Sequence, residues 1–441
     1  MIELAGRSFT CCDGISRRNF LRVGALGLSG LTLPQILSMR ADAANQGAPL
    51  PKTSVIFVEL AGGPTHFETY DPKPNSPQEY RGPLGVVATN QPGVYFSELM
   101  VEQARIMDKL AIIRSIHHDS SSHGTSSHLT QTGYYLRDRQ NRSNDMPCVG
   151  SVASRVLGAN APGLPAYVAL QRQMRFGGAA YLGKAYNPFV VTDDPSRSNF
   201  KVDNLGINKS LNVDRISNRK NLLVQLDAKR RLKDTEGASK AVDKFTQEAF
   251  DMVTGGAAQR AFDLKNEPGA VRDRYGRNRT GQEMLLARRL IEAGVTFVTT
   301  RVSSWDDHNK IADRMKQKGP NYDQGLAALV EDLHQRGLDK DVMVVAMGEF
   351  GRTPRVNKNA GRDHWGRVMS VLMSGGGLNV GQIIGSSNPK GEVPADNPYR
   401  PENVLAMVYR HLGIDSQMTF NDLSGRPRYL LERNEPIREL I

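Results

Sequence analysis

Six runs of mostly apolar, often β-branched residues recur along the chain at strand length: Ser54–Leu60, Leu110–Arg114, Ala166–Leu170, Val295–Thr300, Val342–Met347 and Val368–Met373. A strand that is apolar at consecutive positions has no face to show to water. Such runs predict a buried, mostly parallel sheet. Helix-period patterns lie between them. Glu283–Ala293 carries Met284, Leu285, Leu286, Leu290 and Ile291 and leads into the fourth run. Asp323–Leu333 carries Leu326, Leu329, Val330 and Leu333 and leads into the fifth, and Asn403–Leu412 closes the series with Val404, Leu405, Val408 and Leu412. Strand, helix, strand alternation predicts an α/β layered domain over residues 54–441. Residues 198–279 break the rhythm. They are polar, basic and helical in pattern, for example at Lys229-Arg230-Arg231, and read as a helical insertion in the same domain.

The N-terminus carries a different pattern. Ser16-Arg17-Arg18-Asn19-Phe20-Leu21-Arg22 precedes a modest apolar stretch, Val23–Leu37, and then Ala41-Asp42-Ala43. A basic segment, a short apolar core and a small-x-small site define a secretory signal, and the paired arginines mark the twin-arginine (Tat) route. Residues 1–43 are therefore expected to be a Tat signal peptide and 44–53 a linker. The mature protein is expected to be periplasmic, extracellular or at the cell surface, with the Tat export machinery as its first partner. No later stretch reaches the roughly 20 apolar residues of a membrane span.

Charge and cysteine count narrow the class. The net charge is +11. Basic runs of this kind are usually solvated helix faces, although they also draw anionic partners. No nucleic-acid motif accompanies them, so no nucleic-acid partner is expected. Of three cysteines, Cys11 and Cys12 lie in the signal, which leaves Cys148 without an internal partner. The mature fold therefore rests on its core rather than on disulfides.

The nine histidines are placed unevenly. His66 follows the first strand, and His117, His118, His123 and His128 follow the second. His308 follows the fourth and His364 lies beyond the fifth. Ligands of open α/β sheets bind outside the carboxyl ends of the strands. Carboxylates accompany these histidines: Glu68 and Asp71 near His66, Asp306 and Asp307 before His308, Glu349 at the end of the fifth strand, and Asp363 before His364. Imidazole with carboxylate suits zinc, iron or manganese, and carboxylate alone suits magnesium or calcium. Each pair taken singly also reads as a surface feature or a helix cap, with Asp306 or Asp307 capping a helix that begins near Asn309.

Gly62-Gly63-Pro64-Thr65-His66 with Asp71-Pro72-Lys73, the stretch from His117 to Gly133, Trp305-Asp306-Asp307-His308, Glu349-Phe350-Gly351-Arg352-Thr353-Pro354 and Gly361-Arg362-Asp363-His364-Trp365 together resemble the DUF1501 family, within the alkaline phosphatase and sulfatase-like superfamily. The resemblance implies a three-layer α/β/α sandwich of alkaline phosphatase type. It implies one or two divalent metal ions (zinc, manganese, calcium or magnesium), with His66, Asp71, His123, Asp306, His308, Glu349, Asp363 and His364 as candidate ligands. The superfamily's metal motif Asp-His-Gly is replaced here by Glu349-Phe350-Gly351, and its Asp after the first strand by Ala61-Gly62. The superfamily's nucleophile precedes a Thr-Gly pair by about nine residues. Counting back from Thr132-Gly133 reaches His123, with Ser122 beside it. Ser122, His123 and Thr125 are thus the candidate catalytic residues, with Ser122 or Thr125 as a metal-activated nucleophile or, as the alternative, none and attack by water. Arg352 and Arg362 are the candidates for orienting an anion.

Two functions follow. One is an exported metal-dependent hydrolase of phosphate or sulfate esters, acting on an anionic ester or a sulfated or phosphorylated glycan. The other is a non-catalytic surface binding protein on a degenerate fold of the same type.

Overall fold

The computed structural model describes residues 52–202, 205, 250–252 and 255–441. The expected signal peptide, nearly all of the expected linker and much of the expected insertion lie outside the described residues. Within the described part of that insertion, Ala257–Phe262 and Gly269–Tyr275 are helical.

An eight-stranded sheet organises the rest. Its strands are β1 (Ser54–Leu60), β2 (Ala111–Ile116), β3 (Tyr167–Leu170), β4 (Phe189–Val191), β5 (Phe297–Val302), β6 (Val342–Met347), β7 (Met369–Gly375) and β8 (Gln382–Ile384). They lie in the order β8-β2-β7-β6-β1-β5-β3-β4. The six apolar runs supply six of these strands. The short edge strands β4 and β8, three residues each, carried no comparable run. Pairing is parallel except along β7, which runs antiparallel to both β2 and β6.

The central strand shows why the sheet is buried on both sides. Ile56, Val58 and Leu60 of β1 enter one core, with Leu285, Leu286 and Leu290 of α3 (Arg279–Ala293) and Leu326, Leu329 and Leu333 of α4 (Ile311–Gln335). Val55 and Phe57 enter a second core on the opposite face, with Val149 and Val152 of α2 (Val149–Val156) and Val404, Leu405 and Val408 of α5 (Pro401–Leu412). Helix, sheet and helix layers follow from this alternation. Helix α4 begins at Ile311, close to the start expected near Asn309, and runs through Pro320 without ending there, so that start and the Asp323–Leu333 pattern belong to one helix. The remaining helix that matters for the site, α1 (His123–Thr132), starts just beyond β2.

Chain turns at the carboxyl ends of β1, β5 and β6 pack against one another. Gly62 follows β1 with φ +118°, and a methyl group built on it would lie 2.6 Å from the backbone nitrogen of Asp306. The loop after β5 therefore sits directly on the turn after β1. Gly62→Ala combines a left-handed backbone with a backbone clash. We expect it to lower stability by about 1–3 kcal/mol, measured by urea unfolding. An unchanged midpoint would contradict this packing.

Candidate functional site

Four segments at the carboxyl edge of the sheet bring their side chains together. His123 is the first residue of α1. Asp306 and His308 lie on the loop after β5, where Ser304 adopts φ +74° and the next residue, Trp305, is buried. Trp305 enters the core, and Asp306 is left at the surface with its side chain 44% exposed. Glu349 and Arg352 follow β6, and a two-residue antiparallel ladder sets Arg352 opposite His364. That register lets both residues reach Asp306.

The geometry is centred on the Asp306 carboxylate. Its Oδ1 lies 3.0 Å from Nε2 of His308 and 3.0 Å from Nε2 of His364, and its Oδ2 lies 3.4 Å from Nε2 of His123. His123, Asp306 and His364 each offer a ligand atom within 4.8 Å of the others. Each imidazole is anchored through its other nitrogen. Nδ1 of His123 donates to Glu349 Oε1 at 2.7 Å, Nδ1 of His308 to Asp363 Oδ1 at 2.7 Å, and Nδ1 of His364 to the Ser121 carbonyl at 3.0 Å. A carboxylate or carbonyl partner asks each Nδ1 for a proton, and the Asp306 carboxylate asks the same of each Nε2. A neutral ring carries one proton, so with Nδ1 protonated each Nε2 turns a lone pair toward that carboxylate, which only a shared cation relieves. The Nε2 atoms of His308 and His364 are only 3.0 Å apart. Two facing lone pairs repel at that distance unless a cation, either a proton or a metal ion, lies among them. Phe350 packs its ring 5.0 Å from that of His123 and 4.4 Å from that of His364, which fixes both from one side.

Arg352 holds this centre from beneath. It is fully buried, and its guanidinium donates to the carbonyls of Gly62, Gly63, Trp305 and Arg362 as well as to Asp306 Oδ1 at 2.7 Å. Glu349 accepts the Gly62 N–H at 3.1 Å while gripping His123. Partial burial would raise the Asp306 pKa, but the Arg352 guanidinium bonded to it outweighs that and holds the carboxyl well below the usual carboxylate range. The Glu349 hydrogen bond raises the His123 pKa against the opposing effect of burial. Burial lowers that of His364, with Asp306 partly offsetting it.

Of the residues expected at the site, the structure gathers His123, Asp306, His308 and His364. Glu349 and Asp363 stand one step back, orienting His123 and His308 instead of pointing among the converging atoms. The other positions differ from expectation. His66 is buried and donates Nε2–H to the Gly391 carbonyl at 3.1 Å. Asp71 is buried between Lys73 at 3.0 Å and Arg114 at 3.6 Å. Neither contacts the cluster. Arg362 is consumed by Glu68 at 2.8 Å and by the carbonyls of Tyr80, Thr353 and Pro354, and it stacks over Phe67. Neither Arg352 nor Arg362 is open to an external anion, because both are fully buried and spent on joining loops. Ser122 is exposed at the N-cap position of α1 but makes no side-chain capping bond. Thr125 is buried with its hydroxyl unpartnered. The roles of the Ser121 carbonyl and the Gly62 N–H are backbone roles, which residue type does not announce.

A family model described as "Protein of unknown function (DUF1501)" matches residues 52–441. The chain belongs to the DUF1501 family. No curated protein matches it. Among solved structures, the DUF1501 chain is similar to PsFucS1 sulfatase from Pseudoalteromonas sp., at 11% identity and a TM-score of 0.39, over 88% of this chain and 72% of that one. It is similar to Ps i-CgsB in complex with k-i-k-neocarrahexaose at 11% identity and a TM-score of 0.40, over 82% and 72%. It is also similar to a TAB5 alkaline phosphatase variant with magnesium in its M3 site, at 8% identity and a TM-score of 0.36, over 83% and 99%.

Two outcomes test the structural roles assigned to DUF1501 residues here. Arg362→Ala leaves Glu68 as an unpaired buried charge and should cost about 3–5 kcal/mol of stability in urea unfolding, whereas an effect below about 0.5 kcal/mol would restore Arg362 to the surface. Burial depresses the His66 pKa from 6.5 to about 4, with nearby Asp71 opposing. The unfolded chain then binds more protons than the folded one between those values. Stability should fall as pH drops from about 6.5 to 4, by at most about 3 kcal/mol from this residue. His66→Gln, which keeps an N–H donor for the Gly391 carbonyl, should flatten that slope, and an unaltered slope would contradict the burial.

Proposed function

We propose that this protein is an exported metal-dependent hydrolase of phosphate or sulfate esters, with Asp306, His308, His364 and His123 as the metal-holding residues. The observation that carries the reading is the convergence of three Nε2 atoms on one carboxylate, each ring pinned through Nδ1. Metal-ligating histidines are oriented in this way, by a carboxylate or carbonyl on the far nitrogen. The donor set also fits the group: three imidazoles and one carboxylate suit zinc or manganese better than calcium or magnesium, which favour all-oxygen shells. The chemistry such an ion supplies is polarisation of a phosphoryl or sulfuryl oxygen and activation of water. The chain's own residues do the positioning. Arg352 fixes Asp306, Glu349 fixes the His123 ring and Asp363 fixes the His308 ring. Export rests on the paired arginines and small-x-small site of the first 43 residues. Among the described residues no helix is long and apolar enough to cross a membrane.

A non-catalytic binder on the same scaffold is the second reading. One observation favours it: the Thr125 hydroxyl has no hydrogen-bond partner and that of Ser122 makes no capping bond, so neither is paired with a base. Attack by water would require neither hydroxyl.

Metal analysis of the purified protein should find a tightly held divalent ion, and the double variant His308→Ala with His364→Ala should release it. Full occupancy in the double variant would overturn the assignment. A screen of aryl phosphates and aryl sulfates then separates the two readings. Turnover abolished by a chelator supports the hydrolase, and metal binding without turnover supports the binder.

A further inference from the structure

An oxyanion ester bound beside Asp306 needs a cationic partner, and neither Arg352 nor Arg362 is free to serve. The loop after β3 supplies two arginines that are. Arg172 and Arg175 are exposed, and among the described residues neither has an ion-pair or hydrogen-bond partner. Two residues in left-handed conformation bracket this loop, Gln171 at φ +72° and Phe176 at φ +61°. Such backbone is strained and persists only where surrounding contacts enforce it. Those contacts are present. Gln171 is held by the Val191 carbonyl and by the Ser303 hydroxyl, and Asn144 donates to the Phe176 carbonyl at 2.6 Å. The Phe176 ring is buried edge-on against His128 of α1, and the Arg175 guanidinium lies 5.5 Å from that ring's centre.

The strained loop delivers Arg175 to the start of α1. A methyl group built on Gly124 would stand 3.2 Å from a terminal guanidinium nitrogen of Arg175. Gly124 is the neighbour of His123, and the arginine packs closely against its backbone. The first turn of α1 is open as well. Its N-cap residue Ser122 makes no side-chain bond to the free backbone N–H groups. Thr125, in the same turn, is only 6% exposed, and its hydroxyl is unpartnered. The uncapped backbone N–H groups of this turn and the Arg175 guanidinium thus meet at Gly124, the residue after His123. Donors of these two kinds suit a tetrahedral oxyanion.

The geometry points to Arg175, acting with the open first turn of α1, as the clamp for the phosphate or sulfate group of the substrate. The inference rests on the reading of the His123–Asp306 region as an anionic ester site, and it goes beyond that reading by naming the anion's partner. Arg172, on the same loop, adds positive charge nearby but has no such contact with α1.

Calorimetric titration of the full protein with inorganic phosphate, and separately with inorganic sulfate, tests the clamp without requiring turnover. Arg175→Ala should weaken binding of the preferred anion by about tenfold to a hundredfold, with the bound-metal content and the unfolding midpoint unchanged. Arg105→Ala, which removes an exposed arginine paired with Glu102, should bind as the unaltered protein does. Arg175→Lys keeps the charge and the aliphatic stem but not the fork, so its affinity should fall between. That variant answers the same question should Arg175→Ala fail to fold. Affinity in the Arg175 variants within twofold of the unaltered protein would overturn the clamp, as would failure of the unaltered protein to bind either anion. Loss of metal on His308→Ala and His364→Ala is a separate readout, so the metal centre and the clamp fail independently.

Discussion

The ion pair between Asp306 and the buried Arg352 is the contact on which the rest of the site depends. A guanidinium with no exposure to water is costly unless its charge and donors are met by partners. Arg352 meets that condition by bonding to the loops after β1, β5 and β6 at once. The same residue therefore ties three strand ends together and fixes one oxygen of Asp306. Because that oxygen is fixed, His308 and His364 have a defined point to face.

Backbone close approach makes this arrangement possible. The missing side chain at Gly62 lets the turn after β1 touch the loop after β5, and its N–H caps Glu349, which in turn steers His123. A sheet whose two faces are sealed by helices leaves its carboxyl edge as the place where loops from distant parts of the sequence meet. The candidate metal centre, the ring of Phe350 and the arginine of the β3 loop all lie on segments that leave this edge or abut it.

The fold was largely readable in advance because burial on both faces forces continuous apolar strands, and six such runs are present. The edge strands β4 and β8 escaped because three-residue strands at a sheet margin need no such run. The beginning of α4 lies within two residues of the start expected near Asn309, although neither Asp306 nor Asp307 is its N-cap, which is Lys310. At the site, His123, Asp306, His308 and His364 were legible from chemistry placed at strand ends. His66 and Asp71 occupy equally good sequence positions, and only tertiary packing shows them bonded elsewhere. The arginines were the main reversal. Sequence offered Arg352 and Arg362 as anion partners, yet both are buried among carbonyls that no residue pattern reveals. The pair Arg172 and Arg175, close behind the third apolar run, carried a usable signal in its position after a strand end.

Everything proposed for the site requires the histidines around Asp306 to present lone pairs rather than protons to a shared point. Nitrogen-15 NMR of histidine-labelled, zinc-loaded protein above neutral pH reads this directly, since ring nitrogens with and without a proton resonate far apart. The Nδ1–H form is expected for both His308 and His364. The Nε2–H form in both rings would contradict it.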